Sequence, residues 1–198
     1  MSCRPLDALL KHWPALLEAD QADQLLRRLL DDIAWQQPMV QVYGRRHRVP
    51  RKVAWIADPG LDYHYSGQHH AGRGWPDWLQ GLRGAVEQRC KQPFNAVLLN
   101  LYRNGQDAMG YHRDNEPELG ASPWVASYSL GASRDFVFRP YRRGGTTRQC
   151  LSLPLGHNQL LLMAPLVQRD YEHALPRRAR QDGVRINLTF RYVQAKNR

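Results

Sequence analysis

The chain has 198 residues, 42% hydrophobic and 23% charged, which is typical of one folded domain and excludes a disordered chain. Its formal net charge of +10 favours an anionic partner such as nucleic acid, although solubility alone would also explain it. The chain has three cysteines, Cys3, Cys90 and Cys150; the odd count argues against a disulfide framework, and no C-x-x-C pair suggests zinc. No apolar run approaches membrane-spanning length. We therefore expect a cytoplasmic protein without a membrane partner.

The N-terminal residues predict a short lead-in and one helix. Residues 1–19 contain Pro5 and Pro14 and are expected to be irregular. From an N-cap at Asp20 to about Ala34, leucines recur at helical spacing, which predicts an amphipathic helix. This stripe indicates packing on the core and not a functional site.

An alternating segment at residues 39–43 predicts a strand that ends at Tyr43, just before a basic run. An aromatic ring beside cationic side chains suits nucleic acid, because the charges hold phosphates while the ring stacks on a base. A solvated β-turn explains the same pattern equally well. The basic residues of the run are Arg45, Arg46, His47, Arg48, Arg51 and Lys52.

A second alternating segment at residues 61–67 places Tyr63 and Tyr65 on one face. The two rings fit either the edge of the core or a surface that stacks on bases. Adjacent His69 and His70 would point apart in a strand, so we discount them as a chelating pair and expect a loop.

A second amphipathic helix is expected from Pro76 to about Cys90. After Pro93, short apolar segments separated by turn residues predict an antiparallel sandwich. Neither a repeat nor a linker divides the sequence, so we expect a single domain over 1–198. Strands are predicted at 50–56, 96–102, 124–130, 135–139, 160–163 and 185–192, with a basic loop at 141–145.

The stretch 111–116 contains His112 and Asp114, which would share a face if it were a strand. Oxygen-activating iron(II) enzymes bind the metal through two histidines and one carboxylate, leaving positions open for co-substrate and oxygen. These two residues would supply two ligands, and His173 is the candidate for the third. Taken alone, the pair fits a polar surface turn at least as well.

Two predicted strands carry polar faces. Asn100 and Tyr102 share one face of strand 96–102. The last strand alternates between polar and apolar residues, which a solvent-facing strand would also show. Its arginines could instead hold a dicarboxylate through paired, charge-assisted hydrogen bonds. The polar residues of that strand are Arg185, Asn187, Thr189 and Arg191.

In combination, these features resemble the AlkB family of iron(II)/2-oxoglutarate dioxygenases that dealkylate nucleic acids, in its DNA-repair branch. The resemblance implies a mainly β fold with flanking helices. It implies a double-stranded β-helix (jelly-roll) core over about 93–193, with N-terminal helices and a nucleotide-recognition lid over about 1–92. The matching stretches are 49–52, 63–67, 100–105, 112–119, 129–138 and 185–191.

The resemblance also implies a site. The iron ligands and catalytic residues would be His112, Asp114 and His173, together with Arg185, which would pair with the far carboxylate of 2-oxoglutarate. The rest of the 2-oxoglutarate pocket would be Asn100, Tyr102, Asn187, Thr189 and Arg191. The substrate-binding residues would be Tyr43, Arg51, Tyr63, Tyr65, Ser66 and Glu116, with the ring of His112 as a second stacking wall.

The implied reaction uses iron(II), 2-oxoglutarate and oxygen to demethylate 1-methyladenine or 3-methylcytosine in DNA, releasing formaldehyde, succinate and carbon dioxide. The implied partner is double- or single-stranded DNA, and we expect a monomer. Alternatives are an RNA or tRNA demethylase of the same fold, a non-catalytic nucleic-acid-binding module, and a zinc hydrolase. The arginines of the last strand argue against the hydrolase, and the basic loop at 141–149 follows no pattern of the family.

Overall fold

The structure is a computed structural model that describes residues 6–42, 44–65 and 68–194, with the backbone alone at 41, 42, 45, 62–65 and 68–70. No helix in these ranges is long and apolar enough to span a bilayer. The helices are α1 (Ala19–Asp32), α2 (Asp77–Cys90) and α3 (Pro165–Asp170), with 3-10 helices at Leu6–Leu9 and Pro117–Leu119.

Antiparallel strands are the commonest regular structure among the described residues. In chain order they are β1 (Leu10–Trp13), β2 (Met39–Val42), β3 (Arg45–Arg48), β4 (Lys52–Ala57), β5 (Asp62–Tyr65), β6 (Gln68–Ala71), β7 (Ala96–Tyr102), β8 (Met109–His112), β9 (Val125–Gly131), β10 (Arg134–Pro140), β11 (Leu151–Leu155), β12 (Gln159–Met163), β13 (Tyr171–Leu175) and β14 (Arg185–Arg191).

The strands form two main sheets and two hairpins. The larger sheet has the order β1-β12-β9-β14-β7-β4, and the smaller sheet has the order β11-β10-β13-β8. The hairpins are β2-β3 and β5-β6. Two antiparallel sheets with flanking helices confirm the expected mainly β, jelly-roll architecture.

The larger sheet combines both halves of the chain. Strands β1 and β4 come from the N-terminal half and form its two edges, while the four strands between them come from the C-terminal half. The expected division near residue 92 is therefore not a boundary within this sheet. Both hairpins lie in the N-terminal half, where the lid was expected.

The helices α1 and α2 cover one face of the larger sheet. Leu29 of α1 and Leu79 and Val86 of α2 are fully buried in one cluster with Leu188 and Phe190 of β14. This explains the leucine stripes in the sequence, because each stripe is the face of a helix that packs on the sheet. The opposite face of the sheet is left to meet the smaller sheet.

The alternation of β14 divides its side chains between these two faces. Ile186, Leu188 and Phe190 pack into the helix-covered core. The polar residues between them point toward the smaller sheet, where all four line one cavity. Arg185, Thr189 and Arg191 are all buried, so this polar face of β14 is interior and does not face solvent.

Several N-terminal predictions were wrong in detail. The lead-in is not irregular, because it contains a 3-10 helix and then β1, which pairs with β12. Helix α1 begins at Ala19 with Glu18 as N-cap, so Asp20 lies inside the first turn. The residues His69 and His70 lie in β6 and not in a loop.

The second half also differs from prediction in two places. His173, for which no strand was predicted, lies in β13, directly after helix α3. The segment Leu151–Leu155 forms β11, which pairs with β10 and was not predicted. The other strands predicted after Pro93 occur within one or two residues of their expected ends.

Candidate active site

Two neighbouring strands bring the predicted histidines together. His112 is the last residue of β8, and His173 is its direct Cα partner on β13. Their rings meet edge to face with centroids 4.3 Å apart. Paired positions across a ladder point to the same side of a sheet, so both rings reach the space between the sheets.

Asp114 lies in the segment after β8, and its carboxylate approaches the two histidine rings. Because β8 ends at His112, the pleat does not place Asp114 as the sequence had suggested. Instead its backbone N–H donates to Oε1 of Gln168 at 3.1 Å, and Arg191 donates from Nη2 to Oδ1. The other carboxylate oxygen, Oδ2, lies 3.4 Å from Nε2 of His173.

The protonation states of this cluster suit a metal ion. Burial, with a smaller contribution from His173, lowers the pKa of His112 to about 3, so its imidazole is neutral at pH 7. Burial alone would raise the pKa of Asp114, but Arg191 and His173 outweigh it and hold that pKa well below its ordinary value. Metals bind neutral imidazole and ionised carboxylate.

The ligand atoms also have a geometry that fits a metal. One ring nitrogen or carboxylate oxygen from each of His112, Asp114 and His173 lies within 4.8 Å of the other two. Nδ1 of His112 lies 2.9 Å from the carbonyl of Gly110, which can only accept, so Nδ1 carries the proton and Nε2 is free for a metal. Two histidines and one carboxylate on one side of an ion are the ligand set of iron(II) oxygenases.

A buried arginine lies in the same cavity. Arg185 is 1% exposed, and it donates from Nη1 to the carbonyl of Leu155 at 2.5 Å and from Nη2 to Oγ of Ser129 at 2.7 Å. Its Nε has no hydrogen-bond partner among the described residues. Burial lowers its pKa to about 10, opposed by Tyr102, so it remains a cation at neutral pH. A buried cation with an unused donor fits the far carboxylate of 2-oxoglutarate.

Hydrogen bonds to neighbouring side chains hold other polar residues of the predicted pocket in place. Nδ2 of Asn187 donates to Oγ of Ser127 at 2.7 Å, and Oγ1 of Thr189 donates to Oδ1 of Asn187 at 3.0 Å. Asn100 accepts at Oδ1 from Nε of Arg51 at 2.8 Å. These bonds hold the polar groups in place before any co-substrate enters.

One cavity contains every residue predicted for metal and 2-oxoglutarate. It also contains residues that sequence reasoning missed. Ser127 had a usable signal, since it alternates with apolar neighbours in β9, whereas the apolar members carry none. The cavity is lined by Asn100, Tyr102, Met109, His112, Asp114, Ser127, Phe136, Met163, His173, Leu175, Arg185, Asn187, Thr189 and Arg191.

The predicted substrate-binding residues are not gathered in the same way. Tyr43 and Ser66 lie outside the described residues, and for Tyr63 and Tyr65 only the backbone is described, in β5. Glu116 precedes the 3-10 helix Pro117–Leu119 and is not among the residues that line the cavity.

Arg51 is 6% exposed and donates from Nε to Asn100, which lines the cavity. It is therefore connected to the site from within the fold, and its expected role in substrate binding stays a prediction. The sequence grouped it with the exposed cations that precede it, because spacing along the chain does not reveal burial.

Comparisons with known proteins agree with this geometry. A sequence profile of the 2OG-Fe(II) oxygenase superfamily matches residues 10–191. The DNA oxidative demethylase ALKBH2 of Mus musculus is 39% identical over 188 residues, which cover 91% of this chain and 79% of that protein. The alpha-ketoglutarate-dependent dioxygenase alkB homolog 3 of Homo sapiens is 34% identical over 187 residues, covering 91% of this chain and 65% of that protein.

A solved structure supports the fold. The oxidoreductase of the 2OG-Fe(II) oxygenase family from Burkholderia pseudomallei superposes with a TM-score of 0.61 at 12% identity, covering 97% of this chain and 90% of that one. At this identity the likeness speaks for the fold alone. The profile match, the two relatives and the cluster of His112, Asp114 and His173 together show that the chain belongs to the AlkB family of iron(II)- and 2-oxoglutarate-dependent dioxygenases.

Proposed function

We propose that this dioxygenase removes N-methyl groups from damaged bases in DNA, with 1-methyladenine and 3-methylcytosine as substrates. The observation that carries the proposal is the 39% identity, over 91% of the chain, to a protein named as a DNA oxidative demethylase. The intact ligand cluster and the buried Arg185 support it, because a non-catalytic binding module would need neither.

Different residues of the cavity would bind the iron and the 2-oxoglutarate. His112, Asp114 and His173 would hold iron(II), which with 2-oxoglutarate and oxygen supplies an oxidant that inserts one oxygen atom into a C–H bond of the methyl group. Arg185 would bind the far carboxylate of 2-oxoglutarate and so orient the molecule in the cavity. The other oxygen atom ends in succinate, and carbon dioxide leaves.

The hydroxymethyl product explains why oxidation is enough to restore the base. A carbon that bears both a hydroxyl group and the ring nitrogen loses formaldehyde without further catalysis, and the nitrogen recovers its electron pair. The chain therefore needs no separate group to cleave the carbon–nitrogen bond. What it must provide is access, since the methyl group of a paired base is not exposed until the base leaves the duplex.

A basic and aromatic surface next to His112 supports a nucleic-acid substrate. The guanidinium of Arg113 stacks on Tyr141 at 3.6 Å from the ring centroid. Arg139 stacks on Tyr111 at 4.0 Å and pairs with Glu172 at 2.7 Å. A stacked guanidinium can still bind phosphate oxygens through its edge, and because Glu172 already pairs with Arg139, Arg113 is the better candidate for such a contact.

The loop 141–149 extends this surface. Its three arginines, Arg142, Arg143 and Arg148, are exposed. Exposed cations beside an arginine stacked on a tyrosine ring are typical of a surface that follows a phosphate backbone. This gives a role to a loop that the family resemblance left unexplained.

The test is a single-turnover assay. The purified protein is incubated with iron(II), 2-oxoglutarate, ascorbate and a 3-methylcytosine DNA oligonucleotide, and the mass of the oligonucleotide is measured. We expect a loss of one methylene group and stoichiometric formaldehyde. A parallel RNA oligonucleotide of the same sequence tests the alternative substrate, and faster demethylation of RNA than of DNA would contradict the proposal.

A further inference from the structure

The metal ligand Asp114 depends on a residue that no motif identifies. Gln168 lies in α3 and is 2% exposed. Its Oε1 accepts from the backbone N–H of Asp114 at 3.1 Å, and its Nε2 points to Sδ of Met163 at 3.7 Å. A buried amide that bonds at both ends has one fixed orientation, so Oε1 stays directed at Asp114.

The position of Asp114 in the chain makes this contact necessary. β8 ends at His112, so no strand ladder pairs the N–H of Asp114, and the residue is 1% exposed. A buried N–H without a partner destabilises the folded state, and the backbone at Asp114 would shift toward another acceptor. Gln168 supplies that acceptor, so the backbone keeps its position.

Two hydrogen bonds therefore hold Asp114, one at its backbone and one at its carboxylate. Gln168 holds its backbone, and Arg191 holds Oδ1 of its carboxylate. With both fixed, Oδ2 is left facing Nε2 of His173, which is the side on which a metal would be shared. Gln168 is also five residues before His173 on the same connection, so it ties the segment of one ligand to the segment of another.

We propose that Gln168 is a positioning residue for the metal site, acting through the backbone of Asp114. The inference rests on the proposed metal site and is independent of which nucleic acid the enzyme repairs. A neutral amide suits this place better than a carboxylate, because a second negative charge beside Asp114 would compete with it for Arg191.

The experiment measures metal affinity directly. The metal-free protein is titrated with Co(II) and followed by the visible absorption of the bound ion, without 2-oxoglutarate or nucleic acid. Gln168→Met keeps the length of the side chain but loses the acceptor, and we expect it to weaken Co(II) binding by about 10–100-fold. Gln168→Glu restores an acceptor but adds the competing negative charge, so we expect it to recover only part of that loss.

A matched control separates positioning from stability. Asn158 is another buried amide that bonds backbone N–H groups, those of Leu16 and Leu17, and it does not line the cavity. Asn158→Ala should lower the melting temperature and leave Co(II) affinity unchanged. If Gln168→Met does not fold, Gln168→Asn carries the test, since its amide is too short to reach Asp114.

Four results would overturn the proposal. Gln168→Met could bind Co(II) as tightly as the unmodified protein, or Asn158→Ala could weaken binding equally. A failure of the unmodified protein to bind Co(II), or equal binding by His173→Ala, would overturn the metal site together with this role. A wrong substrate class would change none of these readings, so the two proposals fail separately.

Discussion

Arg191 and Asp114 form an ion pair in which both side chains are almost completely buried, 2% and 1% exposed. The pair joins the last residue of β14 to the loop after β8, and it compensates the charge of a carboxylate that is withdrawn from water. The carboxylate also faces the metal position, so the arginine and the metal ion would neutralise the same group from two sides.

Replacing Arg191 should therefore destabilise the metal-free protein more than the metal-bound protein. Arg191→Met leaves Asp114 buried and unpaired, which costs on the order of 3–5 kcal/mol, whereas a bound cation offsets part of that charge. Urea unfolding with and without Mn(II) measures the difference. The control is Arg28→Met, which removes an exposed helical pair with Asp32 and should cost under about 1 kcal/mol in both states. Equal losses for Arg191→Met in both states would contradict the argument.

Removing any one of the three metal ligands should abolish turnover without unfolding the protein. We expect His112→Ala, Asp114→Ala and His173→Ala each to lose bound iron, because each deletes one of three protein ligands. Metal content by mass spectrometry, circular dichroism and formaldehyde release are measured on the same samples. His12→Ala, at an exposed histidine of β1, should keep full activity. Turnover in a ligand variant with iron bound would place the metal elsewhere.

Arg185→Ala should raise the concentration of 2-oxoglutarate that the enzyme needs. Leaving a buried carboxylate without its cation costs on the order of 3–5 kcal/mol, which corresponds to a hundredfold or greater rise in KM. The KM is measured from succinate formation over a range of 2-oxoglutarate concentrations. An unchanged KM would assign the far carboxylate to Arg191 instead.

Tyr43 provides a prediction about strand choice, although it lies outside the described residues. It directly follows β2, the first strand of the basic hairpin. A ring inserted into the gap left by a flipped base recovers roughly 1–3 kcal/mol of stacking, and flipping costs a few kcal/mol in a duplex but less in a single strand. We expect the enzyme to repair duplex DNA at least as well as single-stranded DNA. The substitution Tyr43→Ala should lose most of the activity on duplex DNA and keep most of the activity on single strands. Equal loss on both substrates, or an enzyme inactive on duplex DNA, would contradict the insertion of Tyr43 into the gap left by the flipped base.

The loop 141–149 should contribute to DNA binding mainly through phosphates. Replacing Arg142, Arg143 and Arg148 by Gln should reduce the slope of log affinity against log salt by about 2–3, with little effect on base preference. Fluorescence anisotropy at several salt concentrations measures the slope. The matched control replaces Lys11, Arg27 and Arg28, three exposed cations of β1 and α1. An identical reduction in the control would mean that net charge, and not this surface, sets the affinity.

Much of the site could be predicted because its signals are local. The polar face of β14 is visible as an alternation within seven residues, and a strand fixes which side chains share a face. The leucines of α1 likewise repeat at the helical period. In each case the period along the sequence directly determines which side chains lie on the same face.

The rest could not be predicted, because its determinants are far apart in sequence. Gln168 contacts Asp114 across 54 positions, and nothing near Gln168 marks it. The strand β1 is only four residues long and is defined by its pairing with β12, not by its own pattern. Arg51 follows a run of exposed basic residues, and its own burial depends on a contact with Asn100 of β7, which is 49 positions away in the sequence.

The position of β14 in the larger sheet constrains how the protein can be made. It is the last strand in the described chain but lies between β9 and β7, so those strands have no common partner until residues 185–191 have left the ribosome. Until then the edges of both strands are open to pairing with other chains. A nonsense mutation before Arg185 would remove a central strand of the sheet. It would also remove Arg191, which pairs with Asp114, and Arg185, which we expect to bind 2-oxoglutarate. We therefore expect even a truncation of 14 residues to yield an insoluble chain and not a weakened enzyme.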